Sequence, residues 1–211
     1  MDAATAACSV ALWREGEIIA WREAPMARGH AEALMPLVME TMATAGLAFA
    51  ELDKIAVGVG PGSFTGIRIA LAAARGIGLA AHRPVVGVDS FNAVASTISD
   101  PALAGRSLLV AIESKRHEIF GQYFDDHRTA LSGPLVLEAA ALLERRPAGA
   151  LLVAGDGAGR LPLSAEMTRA EGAGRPDARA ITRLAGEGQA ILAPRPFYLR
   201  PPDVTLPGST S

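Results

Sequence analysis

The stretch Gly60-Pro61-Gly62-Ser63-Phe64-Thr65-Gly66 lies between an apolar run, Ile55 to Val59, and a second one, Ile67 to Ala80. The order reads as a buried strand, a sharp turn and a helix. Small residues let the backbone turn tightly, and the N–H groups at the start of the helix have no partner within it and can face an anion. A P-loop needs Lys-Ser or Lys-Thr after its glycines, and the spacing also differs from GxGxxG. A structural turn is therefore preferred over a phosphate site, with Gly62, Ser63 and Thr65 as the residues that would touch a nucleotide or anion. Ser63 is no hydrolase nucleophile, because a GxSxG elbow requires glycine where Pro61 and Thr65 stand.

The rest of the chain falls into two similar halves. Ala7 to Leu12 and Ile18 to Trp21 flank Arg14-Glu15-Gly16-Glu17 as a hairpin. Ala31 to Ala45 follows as a helix stopped by Gly46, with Pro36 expected in or near its first turn. After the central turn and helix come a short strand, Val85 to Val88, and a helix capped by Ser90. The second half repeats the order with strands Leu108 to Ile112 and Ile119 to Phe124, a helix Glu138 to Arg145, a strand Leu151 to Ala154 and a helix Ala178 to Glu187. The expected division is a lobe over 1–99, a lobe over 100–193 and an extended proline-rich tail over 194–211.

Composition narrows the function classes. In 211 residues, half of them hydrophobic, there is enough apolar surface for one generous core or two small ones. A formal charge of -2 with only two lysines argues against autonomous nucleic-acid binding. The single cysteine, Cys8, has no internal disulfide partner, which fits a reducing cytoplasm. Ile67 to Ala81 carries Arg68 and Arg75 and falls short of the roughly 20 residues that span a bilayer. His30 and Glu32 lack a second histidine at helical spacing, so capping or packing is preferred over zinc chemistry.

The two long helices have no ordinary polar face. Leu34, Met35, Val38, Met39 and Met42 spread around the first, and Ile69, Ala70, Ala73, Ala74 and Ile77 around the second. A helix apolar on all sides is buried in its own protein or covered by another, and a helix-on-helix interface with a partner is the favoured reading. Methionines suit an adaptable contact surface.

Taken together, Asp2 to Leu12, His30-Ala31-Glu32 with Leu34 and Pro36, the run Gly60 to Arg68, and the tail Pro196-Phe197-Tyr198-Leu199-Arg200 resemble the TsaB (YeaZ) family. The resemblance implies an α/β actin-like ATPase fold of two RNase H-like lobes, each a mixed β-sheet flanked by helices. It implies a cytoplasmic, non-catalytic subunit needed to form threonylcarbamoyladenosine at position 37 of tRNAs that read codons beginning with A. Such a subunit docks through the two apolar helices on a catalytic relative, TsaD, with a TsaE-type ATPase joining the assembly and tRNA reached through the complex. No intrinsic cofactor is implied, although ATP or ADP could be bound in the assembled complex, and the exposed apolar face allows a homodimer when the chain is alone. In the catalytic relative two histidines four apart bind metal, whereas the matching stretch here offers Ser90 and Val94. The resemblance implies a first strand ending at Asp2, so either most of that strand is missing or the true start lies upstream, and the Asp2-Ala3-Ala4-Thr5 loop has alanines where a phosphate loop has glycine. The rival reading is an enzyme in its own right, a glycoprotease-like peptidase or an ATPase.

Overall fold

The computed structural model describes residues 1–172 and 174–200; the final part of the proline-rich tail, including Pro201 and Pro202, lies outside the described residues. The chain opens with three antiparallel strands, β1 (Asp2–Thr5), β2 (Ala7–Arg14) and β3 (Glu17–Pro25), the last two joined at Glu15 and Gly16, both with positive φ. Helix α1 (His30–Ala45) follows and ends at Gly46, whose left-handed φ of 65° lets its N–H return to the carbonyls of Ala43 and Met42. Pro36 stands in the second turn of α1 rather than the first. The loss of one N–H does not end a helix whose Leu34, Val38 and Met42 are anchored in the core.

Next come β4 (Ile55–Gly58), α2 (Phe64–Ala81) and β5 (Val85–Val88), with β4 and β5 parallel. The Met1 nitrogen donates to the Ala56 carbonyl at 2.8 Å, and the Gly58 N–H donates to the Met1 carbonyl at 3.0 Å. These bonds join β1 to β4 and give the order β3-β2-β1-β4-β5. Two short helices, α3 (Ser90–Ala95) and α4 (Asp100–Leu103), lead onward. Asp89, not Ser90, caps α3: its carboxylate accepts from the Asn92 N–H at 2.9 Å, whereas the Ser90 hydroxyl points into the protein.

The second half contains β6 (Ser107–Glu113), β7 (Ile119–Phe124), β8 (Leu135–Leu137), α5 (Ala139–Glu144), β9 (Leu151–Ala154) and β10 (Met167–Arg169). Its sheet runs β8-β7-β6-β9-β10, antiparallel on the hairpin side and parallel on the other. Strand order and sense therefore match the first sheet, as the two-lobe actin-like architecture requires. Strands β8 and β10 are three-residue edges that the sequence pattern did not reveal.

The lobes are not partitioned in chain order. Phe91 and Val94 of α3 are buried against Leu108, Val110 and Ile112 of the second sheet. The last helix, α6 (Ala178–Gly186), instead returns to the first sheet, with Ile181, Leu184 and Ala185 packed against Ala56 and Val88. Each half thus lends its final helix to the other, and Arg183 of α6 donates to the Ser96 carbonyl just after α3 at 2.6 Å. Helix α2 is long and apolar enough, by length and composition, to cross a membrane, yet Ile67, Ala70, Leu71 and Ala74 lie in the core beneath it.

Candidate functional site

Helices α1 and α2 lie together on one face of the first sheet, and their apolar residues divide between two directions. Leu34, Val38, Met42, Ala70, Ala74 and Ile77 turn inward and are buried, and of these six Ile77 also lines the groove between the helices. Met35 and Met39 face outward, Met39 with 55% of its surface exposed, and Ile69 and Ala73 are half-buried. The sequence pattern could not separate the two sets, because the inner and outer residues are chemically alike. Between the helices runs a groove of about 590 Å³, lined by Met35, Phe49, Ala73, Gly76 and Ala80. Small residues on α2 and a flexible methionine on α1 leave an apolar furrow that another helix could enter.

The Gly60–Gly66 turn sits elsewhere, at a cleft of about 510 Å³ between the lobes. Its glycines are set by close approach to β1: a Cβ at Gly66 would lie 1.8 Å from the Ala3 carbonyl oxygen, and one at Gly62 2.5 Å from that of Ala4. The Ser63 N–H donates to the Ala4 carbonyl at 2.7 Å, and the Ser63 hydroxyl caps α2 by accepting from the Gly66 N–H at 3.3 Å. The expected structural role of the turn is therefore present in atomic detail, while Thr65 is exposed at the cleft mouth.

The tail closes one side of this cleft. The Phe197 N–H donates to the Val59 carbonyl at 2.8 Å, and the Tyr198 ring stacks on Phe64 with centroids 4.8 Å apart. Arg68 lies 3.6 Å over the Phe64 ring and donates to the Tyr198 hydroxyl at 2.9 Å, while Arg200 pairs with Glu118 across the cleft. That ion pair holds the Glu118 carboxyl below the usual range. Sequence reading recognised the Phe-Tyr pair in the tail but not the surface it covers, since nothing local joins residue 68 to residue 198.

On the opposite wall, Asp156 accepts from the Glu113 N–H at 2.8 Å, and Glu113 in turn pairs with Arg160 at 2.8 Å. Desolvation in the cleft raises the Asp156 carboxyl, and the neighbouring Glu113 adds to the shift. His30 is a packing residue: its Nε2 lies 3.0 Å from the Thr5 carbonyl, which can only accept. Ser90 and Val94 are buried, the valine in the core of the second sheet. No cluster of three or more His, Cys, Asp or Glu side chains suited to a metal occurs among the described residues.

Residues 24–154 match the family model described as TsaD: tRNA N6-adenosine threonylcarbamoyltransferase. The chain is 37% identical over 120 residues to the tRNA threonylcarbamoyladenosine biosynthesis protein TsaB of Escherichia coli, a match covering 57% of this chain and 51% of that protein. The fold is similar to that of YeaZ from Pseudomonas aeruginosa, with a TM-score of 0.78, 28% identity, and coverage of 94% of this chain and 97% of that one. The chain belongs to the TsaD family, within which it is similar to TsaB and YeaZ proteins. An uncharacterized protein of Mycobacterium tuberculosis is 38% identical over 159 residues, 74% of this chain and 70% of that protein. The sequence match to the E. coli TsaB reaches about half of that protein's length.

Proposed function

We propose that this chain is a non-catalytic subunit in the formation of threonylcarbamoyladenosine on tRNA, and that it docks on and activates a TsaD-type transferase. The carrying observation is the outward face of α1 and α2, where Met35 and Ala73 border an apolar groove and Met39 is exposed, in a chain similar to TsaB. The transfer chemistry falls to the partner in this reading, because Ser90 and Val94 offer no ligand pair for a metal and the hydroxyl of Ser63 is engaged as a helix cap. A TsaE-type ATPase and tRNA then meet this subunit through the assembly, and a nucleotide, ATP or ADP, would be bound there rather than by this chain alone. The same face would support a homodimer in the absence of the partner.

Co-purification with the cognate TsaD-type protein is the direct test. Met39→Asp and Ala73→Asp each place a charge on the apolar face and should reduce complex formation at least tenfold, since a carboxylate in such a contact costs several kcal/mol. Retention of the complex by both variants would sink the interface. Depletion of the protein should lower threonylcarbamoyladenosine in cellular tRNA, and unchanged modification would reject the pathway assignment.

A further inference from the structure

The tail crosses the mouth of the cleft between the lobes in the way an extended peptide lies in a groove. Arg75 holds it upstream by donating to the Pro194 carbonyl at 2.6 Å. Beyond that point Tyr198 packs on the first lobe, Leu199 packs on the core of the second, and Phe197 touches both. Each hold asks for a different chemical group. The Val59 carbonyl takes the Phe197 N–H at 2.8 Å, the Phe64 ring takes the Tyr198 ring, Arg68 donates to the Tyr198 hydroxyl at 2.9 Å, and Glu118 pairs with Arg200. A main-chain bond that fixes the track, beside side-chain contacts that select the sequence, is the arrangement by which folded domains recognise peptides.

The tail does not exhaust this site. Residues 196–200 are all only partly buried, and both partners of the Arg200–Glu118 pair keep about a third of their side-chain surface in solvent. Such an exposed pair contributes little, and a segment held by contacts of this kind opens far more readily than the core. Behind the tail lies the cleft of about 510 Å³. The Thr5 hydroxyl, in a residue that lines it, is buried with no partner among the described residues. A segment on the same track that also turns a polar side chain inward would gain a hydrogen bond that the tail leaves unmade.

We infer that the cleft mouth is a peptide-recognition site, closed in cis by Phe197–Arg200 and taken in trans by an extended segment of a partner protein with the same order of groups. That order is an aromatic residue, a second aromatic bearing a hydroxyl, an apolar residue and a basic one. The tail is thereby a built-in competitor. A segment tethered this closely acts at an effective concentration on the order of millimolar, so the partner's segment binds weakly until the tail lifts.

The test measures binding of a fluorescein-labelled peptide, Pro-Arg-Pro-Phe-Tyr-Leu-Arg, to the full chain by anisotropy. Tyr198→Ala combined with Arg200→Ala loosens the tail and leaves the walls intact, so this variant should bind the peptide at least tenfold more tightly than the wild-type chain. Adding Arg68→Ala and Glu118→Gln to it should cost at least tenfold, and the scrambled peptide Leu-Pro-Arg-Tyr-Pro-Arg-Phe should bind no variant. Equal affinity of the wild-type and tail-loosened chains, equal affinity for the two peptides, or indifference to Arg68→Ala and Glu118→Gln would each overturn the assignment. Should the double variant aggregate, Tyr198→Ala alone carries the same comparison. Sedimentation of the wild-type chain checks the source of the segment: a dimer dissolved by the unlabelled peptide would give the site to a second copy of this chain and overturn the partner stated here.

Discussion

Asp2 and the Met1 ammonium are consecutive groups buried in the middle of the first sheet, and each titrates away from its ordinary value. Burial raises the Asp2 carboxyl from 3.8 to about 6, partly opposed by its hydrogen bond from the Ala4 N–H, while Asp177 and Asp156 add to the rise. Across that interval the folded chain holds a proton that the unfolded chain has released, so stability falls as pH increases. The Met1 amine is lowered from 8.0 to about 6 by burial, against the pull of Asp2 and Asp177. There the unfolded chain holds the extra proton, so stability rises again between pH 6 and 8. Urea unfolding at a series of pH values should therefore show a minimum near pH 6. Asp2→Asn should remove the acidic limb and stabilise the chain by about 3 kcal/mol at pH 7, since one pKa unit is worth about 1.4 kcal/mol. A monotonic profile, or a destabilised Asn variant, would contradict this account of Asp2.

At the scale of elements, α1 has two sets of apolar residues with separate consequences when altered. Leu34 is buried against the sheet, and Leu34→Ala should cost about 2–5 kcal/mol in urea unfolding. Met39 is mostly exposed, and Met39→Ala should change stability by about 0.5 kcal/mol or less. Affinity for the TsaD-type partner should follow the reverse order once each variant is measured as folded protein. If Leu34→Ala weakened the complex more than Met39→Ala under those conditions, the outward face of α1 would not be the contact. The tail is another case in which the element matters more than its sequence neighbourhood. Its aromatic residues are ordered by Phe64 and Arg68, so the tail closes the side of the cleft where α2 begins.

The whole molecule is held together by the reciprocal placement of α3 and α6. Ile181 belongs to the second half of the sequence but is buried on the first sheet, and Phe91 belongs to the first half but is buried on the second. Thermal unfolding should consequently be a single transition, and Ile181→Ala should move exchange protection in both sheets together. Loss of protection confined to one sheet would show that the lobes unfold independently. The strands were largely legible in the sequence because hairpins and continuous apolar runs announce them locally, as Ile55 to Val59 and Ile119 to Phe124 do. The destination of α3 and α6 was not, since an apolar face states that a helix packs without stating on which sheet. The same ambiguity merged Leu34 with Met35 and Ala74 with Ala73 in the expected interface, although neighbouring residues on a helix point about 100° apart. The glycine turn was legible as a turn, but its cause, the carbonyls of Ala3 and Ala4 pressed against Gly66 and Gly62, depends on a strand far away in sequence. The crossed helices have a mechanical consequence as well. A jaw opens when two rigid halves share only a hinge, whereas here widening the cleft would slide α3 along α6 and strain the Arg183 tie to Ser96. The lobes are tied to each other through α3, α6 and the Arg183 bond to Ser96.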